Sequence, residues 1–582
     1  MKEKTKVVYT NFKMNAIYHF LFLALVITLI YSKTIFFDYN LDDYIIRDSL
    51  DGKVNQISDL WLIFKLSYNN ADYRPMVFLS FGIESLIFGE LNPAISHAVN
   101  FLLYIFICIS GLQLFKLIFA DSKNYFLLFL GVLLFSVHPI NTEVVSSIKC
   151  RDNLLSMLFG LLSSYYYLKF LKNNQSIYLL LIAFIFSLVA VFSKLDGFGF
   201  AIFNIFSVLF FNKNRKLINI IFVIFFTVLV INIRFFVSDY FLNYKNNNSI
   251  AGIVTFAENP LALAFTMPNR IISGINTIYF YFTKFTYTSS AKYYYGYNYY
   301  DVLSIKSFSF ICGVIIVIGF LLAFIYSIKK KETIITISII GIISTSVYAL
   351  NILQPVAGII ADRYIFIANL FFCLLAVYSI TKLLQCLKIP KHTYTIITVI
   401  VLIFSIVSFI RVNAWKNFRT LINTDAPELY NSYEAMRIAA SAYFDEYKIT
   451  EDTSDLNQAI FYAEKGNMVY PKNILLHLLT GQFYFKKNEY KNAIPNFIIA
   501  HQNDTSLSES LIYLGDTYYA SKNLDSSLFY YQKAFIHDSK NAELINNIST
   551  IYFEKGEKEK CLQYNFDLIK SDSTLFAAYE NL

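Results

Sequence analysis

A chain of 582 residues with 56% hydrophobic content and a mean hydropathy of +0.48 carries more apolar surface than a soluble core can hide. That excludes an ordinary water-soluble domain, and the sequence reads as a polytopic membrane protein. The net charge of +8 does not point to nucleic acid, because the cations sit in short clusters between apolar segments instead of along one soluble face.

Lys2, Lys4, Lys6 and Lys13 precede the first apolar run, and no small-residue cleavage pattern follows it, so it predicts a retained first span. A span needs roughly 20 apolar residues to cross a hydrocarbon core of about 30 Å. Eleven segments are candidates: 14–32, 97–119, 125–138, 153–171, 177–193, 196–212, 217–237, 307–328, 333–352, 363–384 and 393–411. The stretches 75–89 and 269–288 are apolar too. The first carries Glu84 and the second Asn276 and Lys284, and both read as interfacial helices.

With the N-terminus in the cytoplasm, the alternate short loops hold Lys116 and Lys123, then Lys169 and Lys172, then Lys213, Arg215 and Lys216. Lys329, Lys330 and Lys331 follow, and then Lys382, Lys388 and Lys391. This is the positive-inside pattern, and it places the C-terminal tail on the opposite, outer side. The six cysteines show no CxxC or Cys/His spacing, so neither a metal site nor a disulfide framework is expected.

After Arg411 the sequence turns polar and tyrosine-rich, and a 34-residue period sets in. Gly481, Gly515 and Ser549 recur in step, as do Tyr484, Tyr518 and Tyr552, then Ala493, Ser527 and Cys561, and then Phe497, Tyr531 and Asn565. Such a register is that of tetratricopeptide repeats, in which a small residue on one helix admits a large one from the next. Ala459, Gly466 and Pro471 fit an earlier unit, with Tyr443 on its first helix. The expected fold is all-α: a membrane helix bundle over 1–411, a linker over 412–427, and an α-solenoid of repeats over 428–582.

Polar groups recur at the outer ends of the spans. The first outer loop holds the adjacent carboxylates Asp42 and Asp43, with Arg74 ahead of Pro75. His138-Pro139 and Glu143 come next, with Lys149, Arg151 and Asp152 just beyond, then Lys194 and Asp196, and finally Asp362-Arg363. A carboxylate pair where membrane meets water is suited to taking a proton from a hydroxyl beside a lipid-borne substrate. Read singly, each has a plainer role: a solvated loop or helix N-terminus for the pair, a helix stop for His138-Pro139, a structural ion pair for Asp362-Arg363, a snorkelling side chain for Lys194.

Several of these motifs, taken together, resemble a known family. Leu41-Asp42-Asp43-Tyr44-Ile45-Ile46, Asp72-Tyr73-Arg74-Pro75, His97-Ala98-Val99-Asn100, Ser136-Val137-His138-Pro139-Ile140-Asn141-Thr142-Glu143, Arg151-Asp152, Ser193-Lys194 and Asp362-Arg363-Tyr364 stand in that order ahead of the repeats. They are similar to the transmembrane and tetratricopeptide repeat-containing proteins, O-mannosyltransferase-like glycosyltransferases of the GT-C fold. The resemblance runs from about residue 14 to the end of the chain. It departs at Asn141, where the family has a second histidine, at Cys150 in place of glycine, and at Leu195, where an acidic residue is usual and Asp196 follows one place later.

The resemblance implies a polyprenyl-phosphate-linked sugar donor, mannose-like, and a hydroxyl acceptor, in eukaryotic members a protein Ser or Thr. It implies catalytic roles for Asp42 and Asp43. Asp42 is the favoured base in a single inverting displacement, and Arg74, His138, Glu143, Arg151, Lys194 and Arg363 are candidates for holding the donor's phosphate or sugar. No cofactor is required, though an Asp-rich site leaves room for a divalent metal. The expected partners are the lipid-linked donor, membrane lipid, and a protein or peptide acceptor docked by the repeats. The Lys, Asn, Ile, Phe and Tyr usage favours a bacterial inner membrane with periplasmic repeats, the alternative being an endoplasmic reticulum membrane with lumenal ones. A lipid-linked oligosaccharide transporter or a membrane-anchored repeat scaffold are the competing functions.

Overall fold

The computed structural model describes residues 16–67, 72–119, 125–172, 176–211, 216–242, 254–287, 291–538 and 541–571. Lys2, Lys4, Lys6, Lys13, Lys123, Lys213 and Arg215, used above for topology, lie outside them, as does the side chain of Lys216. The regular elements are α- and 3-10 helices. Two compact units form: Met1–Tyr295 with Tyr300–Thr424, and Asp425–Leu582 with the short segment Gly296–Tyr299.

In the first unit each of the eleven expected segments folds as a helix. Among the described residues, eight helices are long and apolar enough to cross a bilayer: Ile17–Phe36, Pro93–Ile118, Arg151–Lys172, Ile220–Phe241, Phe308–Lys330, Thr333–Leu350, Asp362–Cys386 and Pro390–Lys416. The chain is therefore an integral, multi-pass membrane protein. The other three segments give the shorter helices Tyr125–Ser136, Ile177–Ser193 and Phe198–Phe211. Local signals set the ends. Asn92 caps Pro93–Ile118 by accepting from the Ala94 N–H at 2.9 Å, and Lys329 and Lys330 sit in the last turn of Phe308–Lys330, where they oppose the negative end of the dipole.

One span is broken. Tyr125–Ser136 and Pro139–Ser146 meet at 51°, because Pro139 has no N–H to continue the ladder. The bundle packs closely enough that a Cβ on Gly160 would lie 2.0 Å from the Phe200 ring.

In the second unit, helix pairs stack as tetratricopeptide repeats. The first helices Ile474–Lys486, Ser508–Ala520 and Ala542–Glu554 each start 34 residues after the last, as do the second helices Tyr490–Asn503, Leu524–His537 and Lys558–Ser571. The reason for the small residues is visible: a Cβ on Gly481 would meet the Phe497 ring at 2.5 Å, and one on Gly515 the Tyr531 ring at 2.4 Å. In the last pair Ser549 faces Cys561, its hydroxyl 3.3 Å from the Cys561 carbonyl. An earlier pair, Tyr433–Thr450 and Thr453–Val469, stacks Tyr443 on Tyr462 with centroids 5.6 Å apart.

Candidate functional site

The two adjacent aspartates do not share an environment. Asp42 stands at the N-cap position of the eight-residue helix Asp43–Leu50 without a side-chain cap bond, and Asp43 opens it. Asp43 is fully buried and saturated. The backbone N–H of Asn40 donates to its Oδ2 at 2.9 Å, and the Lys149 backbone N–H and the Ser147 hydroxyl donate to its Oδ1 at 2.7 and 3.0 Å. Burial pushes the Asp43 carboxyl up to about 6, against the lowering pull of these donors. Asp42 keeps 48% of its side chain exposed and pairs with Lys149 at 2.5 Å. Crowding by its surroundings drives its carboxyl upward, but the Lys149 ammonium, joined by Arg363 and Arg74, prevails and holds it below the ordinary carboxylate range.

Around them runs a chain of ion pairs and hydrogen bonds drawn from five stretches of sequence. Arg363 is held by Glu143 at 2.6 Å, and the Arg363 backbone N–H also donates to that carboxylate at 3.2 Å. Asn153 donates to the Arg363 carbonyl at 2.7 Å and accepts from Lys194 at 2.5 Å. Lys194 lies 3.5 Å from Asp152, which pairs with Arg74 at 2.5 Å. Arg74 reaches Asp72 at 2.8 Å, and Asp72 meets Arg234 at 3.2 Å. Asp42, Arg74, Glu143, Lys194 and Arg363 are thus brought into one neighbourhood. The Arg363 and Arg74 side chains keep 13% and 14% of their surface open.

Two expected site residues stand apart. Arg151 is sealed: it pairs with Glu84 at 2.5 Å, donates to Asn100 at 2.8 Å and to the Ser96 carbonyl at 2.9 Å, and lies 3.7 Å over the Phe81 ring. His138 is buried with both ring nitrogens engaged. Its Nδ1 accepts from the Ile140 N–H at 3.3 Å, capping the helical turn after the break, and its Nε2 lies 3.1 Å from the Phe285 carbonyl. Asp362 and Arg363, an ion pair on one sequence reading, turn to different partners: Asp362 accepts from the Tyr295 hydroxyl at 3.1 Å and lies 3.8 Å from Lys284. Asn141 is a packing hub, donating to the Tyr104 hydroxyl at 2.9 Å and accepting from Asn369 at 3.1 Å. The lysine turn keeps an acidic partner, since Asp196 reaches Lys194 at 3.7 Å.

Sequence reasoning missed Arg234, and it noted Asp72, Lys149 and Asp152 among the motifs and polar groups without giving them a role in the site. Arg234 did carry a signal, as a cation well inside the largely apolar helix Lys216–Leu242. Lys149 was noted among the polar groups, but nothing in the sequence showed that it bonds one aspartate through its side chain and the other through its backbone. All six cysteines are free. Among the described residues no group of three or more His, Cys, Asp or Glu is arranged to hold a metal ion.

Fold and site together define an all-α membrane protein with a charge cluster at its helix ends and a tetratricopeptide repeat array. The chain is 22% identical over 532 residues to protein O-mannosyl-transferase TMTC3 of Homo sapiens, covering 82% of this chain and 54% of that protein. It is 33% identical over 151 residues to the human TMTC4 protein, covering 23% and 20%, and 37% identical over 113 residues to human TMTC1, covering 19% and 11%. The chain is thus similar to proteins of the transmembrane and tetratricopeptide repeat-containing family, and it spans about half the length of TMTC3. No model of a known protein family matches it. Among solved structures, the repeat protein YrrB matches with a TM-score of 0.25 at 19% identity, over 35% of this chain and 97% of its own, and MamA with 0.24 at 17%, over 26% and 86%. Neither score reaches the level of a shared overall fold.

Proposed function

We propose that the protein is a membrane glycosyltransferase that moves a mannose-like sugar from a polyprenyl-phosphate donor to a protein hydroxyl on the outer side of the membrane. The observation that carries this reading is the contrast at the aspartate pair: Asp42 is half exposed among cations, while Asp43 is buried with both oxygens occupied. Asp42 is ionised at neutral pH, the state in which a base must begin. It takes the acceptor's proton as the acceptor oxygen bonds to the anomeric carbon and the bond from that carbon to the phosphate oxygen breaks. The electron pair leaves with the polyprenyl phosphate, and the sugar inverts. Arg363, Arg74, Lys149 and Lys194 face the growing phosphate charge, Arg363 being oriented by Glu143. Asp43 positions the base by fixing the start of its helix. Arg151 and His138 support the packing, and no cofactor is invoked.

The positive-inside loops favour a cytoplasmic N-terminus, and the residue usage favours a bacterial inner membrane. The same TMTC relatives, named as protein O-mannosyl-transferases, support a protein acceptor. Its segments would dock in the repeat array's concave groove.

Purified protein incubated with a radiolabelled polyprenyl-phosphate sugar should release label from the lipid to a protein acceptor, which neither a transporter nor a scaffold would do. Asp42→Asn should cut this transfer by roughly 10²–10⁴-fold, the usual share of a general base, with donor binding intact. Full activity in that variant would remove Asp42 from the mechanism. Deleting 428–582 should raise KM for protein acceptors more than for a short peptide, and equal effects would count against docking.

A further inference from the structure

The 3-10 helix Ile57–Lys65, in the same outer loop as the aspartates, is apolar on a face that the protein leaves open. Residues three apart share a face in such a helix. Leu60 and Ile63 form the inward one, lying 3.3 and 2.3 Å from where a Cβ on Gly82 would stand. The next face holds Trp61 and Phe64, whose rings meet Phe241 at 5.3 and 6.0 Å. Trp61 is nevertheless 58% exposed and Leu62 46%.

Phe241 ends the spanning helix Ile220–Phe241, of which only 17% is buried inside the protein. On its last turns Phe236 and Tyr240 are 73% and 69% exposed. Aromatic residues at the end of a span mark the membrane–water interface, where their rings rest at headgroup level. The open face of Ile57–Lys65 continues that aromatic belt, and Lys65, exposed at its end, is placed to reach lipid phosphate.

We propose that Ile57–Lys65 is a membrane anchor whose Trp61 and Leu62 insert into the interfacial region of the leaflet on the Asp42 side. The loop is then tied to the bilayer at two points, the preceding span and this helix, and the aspartates are held at a fixed depth above the lipid. The proposal is independent of the enzymatic reading, since it rests on lipid contact alone.

Trp61 and Trp415 are the two tryptophans of the chain, and Trp415 is 1% exposed. In the full-length Trp415→Phe variant, reconstituted in phosphatidylcholine vesicles, Trp61 is the sole reporter. Its emission should be blue-shifted from that of indole in water. Phosphatidylcholine brominated on the upper acyl chain should quench it by roughly half, and bromines near the chain end should quench it less. Water-like emission, quenched by iodide and untouched by brominated lipid, would overturn the proposal. So would a blue emission that neither quencher reaches, which would mean that a protein surface or a second copy covers the helix. Should Trp415→Phe not fold, the difference in quenching between the wild type and Trp61→Phe gives the same reading.

Discussion

Two charged clusters lie in the membrane unit, built from the same residue types yet physically opposite. Around Arg151, all three guanidinium nitrogens donate, to Glu84, Ser80, Asn100 and the Ser96 carbonyl, and no surface is left. Around Arg363, one carboxylate steadies the guanidinium while part of it stays open toward Asp42. A closed network can only hold helices together. An open one has capacity left for a ligand, so what distinguishes a binding cation from a strut is the unfilled part of its coordination, not its position in the chain.

The largest effect that tests this contrast is expected at the closed cluster. Arg151→Met strands Glu84 in the interior, and losing one partner of a buried pair costs about 3–5 kcal/mol. The melting temperature in detergent should fall steeply while label transfer per folded molecule is retained. A loss of transfer in a protein of unchanged stability would move Arg151 into the site.

Next in size is a pH effect at Asp43. Its folded carboxyl titrates near 6, above the unfolded value of about 3.9. The stability it contributes is therefore full below about pH 4 and is lost as pH rises through 6, by an amount on the order of 3 kcal/mol. Asp42 has the opposite sign and a lower window, since its depressed carboxyl contributes stability that is lost as pH falls through that depressed value. Thermal unfolding between pH 4 and 7 should slope downward for the wild type and flatten in Asp43→Asn. Identical slopes would show that Asp43 is not the buried acid described here. The smallest effect is expected at the open cluster: Arg363→Lys keeps the charge and loses the planar fork, so transfer should drop about tenfold with stability nearly unchanged. A drop no larger than twofold would mean that the fork does not meet the phosphate.

The repeats were legible because their packing is local and periodic. Gly481 and Gly515 announce the rings of Phe497 and Tyr531 at a fixed distance along the chain. The spans were legible for a similar reason, a continuous apolar run being its own signature, although Tyr125–Ser136, at 12 residues, is shorter than one crossing needs. The candidate site was less so. Asp42, Glu143, Lys194 and Arg363 were named from sequence and do converge, but nothing along the chain separates Arg363 from Arg151. Their difference lies in partners contributed by distant helices. Nor could adjacency tell Asp42 from Asp43, because their fates are decided by the segment 147–149, more than a hundred residues away.

That segment holds Asp43 partly through the main-chain N–H of Lys149, a group every residue except proline possesses. Position 149 can therefore change its side chain without unseating Asp43, whereas the ammonium that faces Asp42 vanishes with almost any replacement. The scaffold of the acidic pair is insensitive to mutation at the very residue that lowers the Asp42 carboxyl, so the acidity of Asp42 can drift or be engineered separately from the shape that presents it.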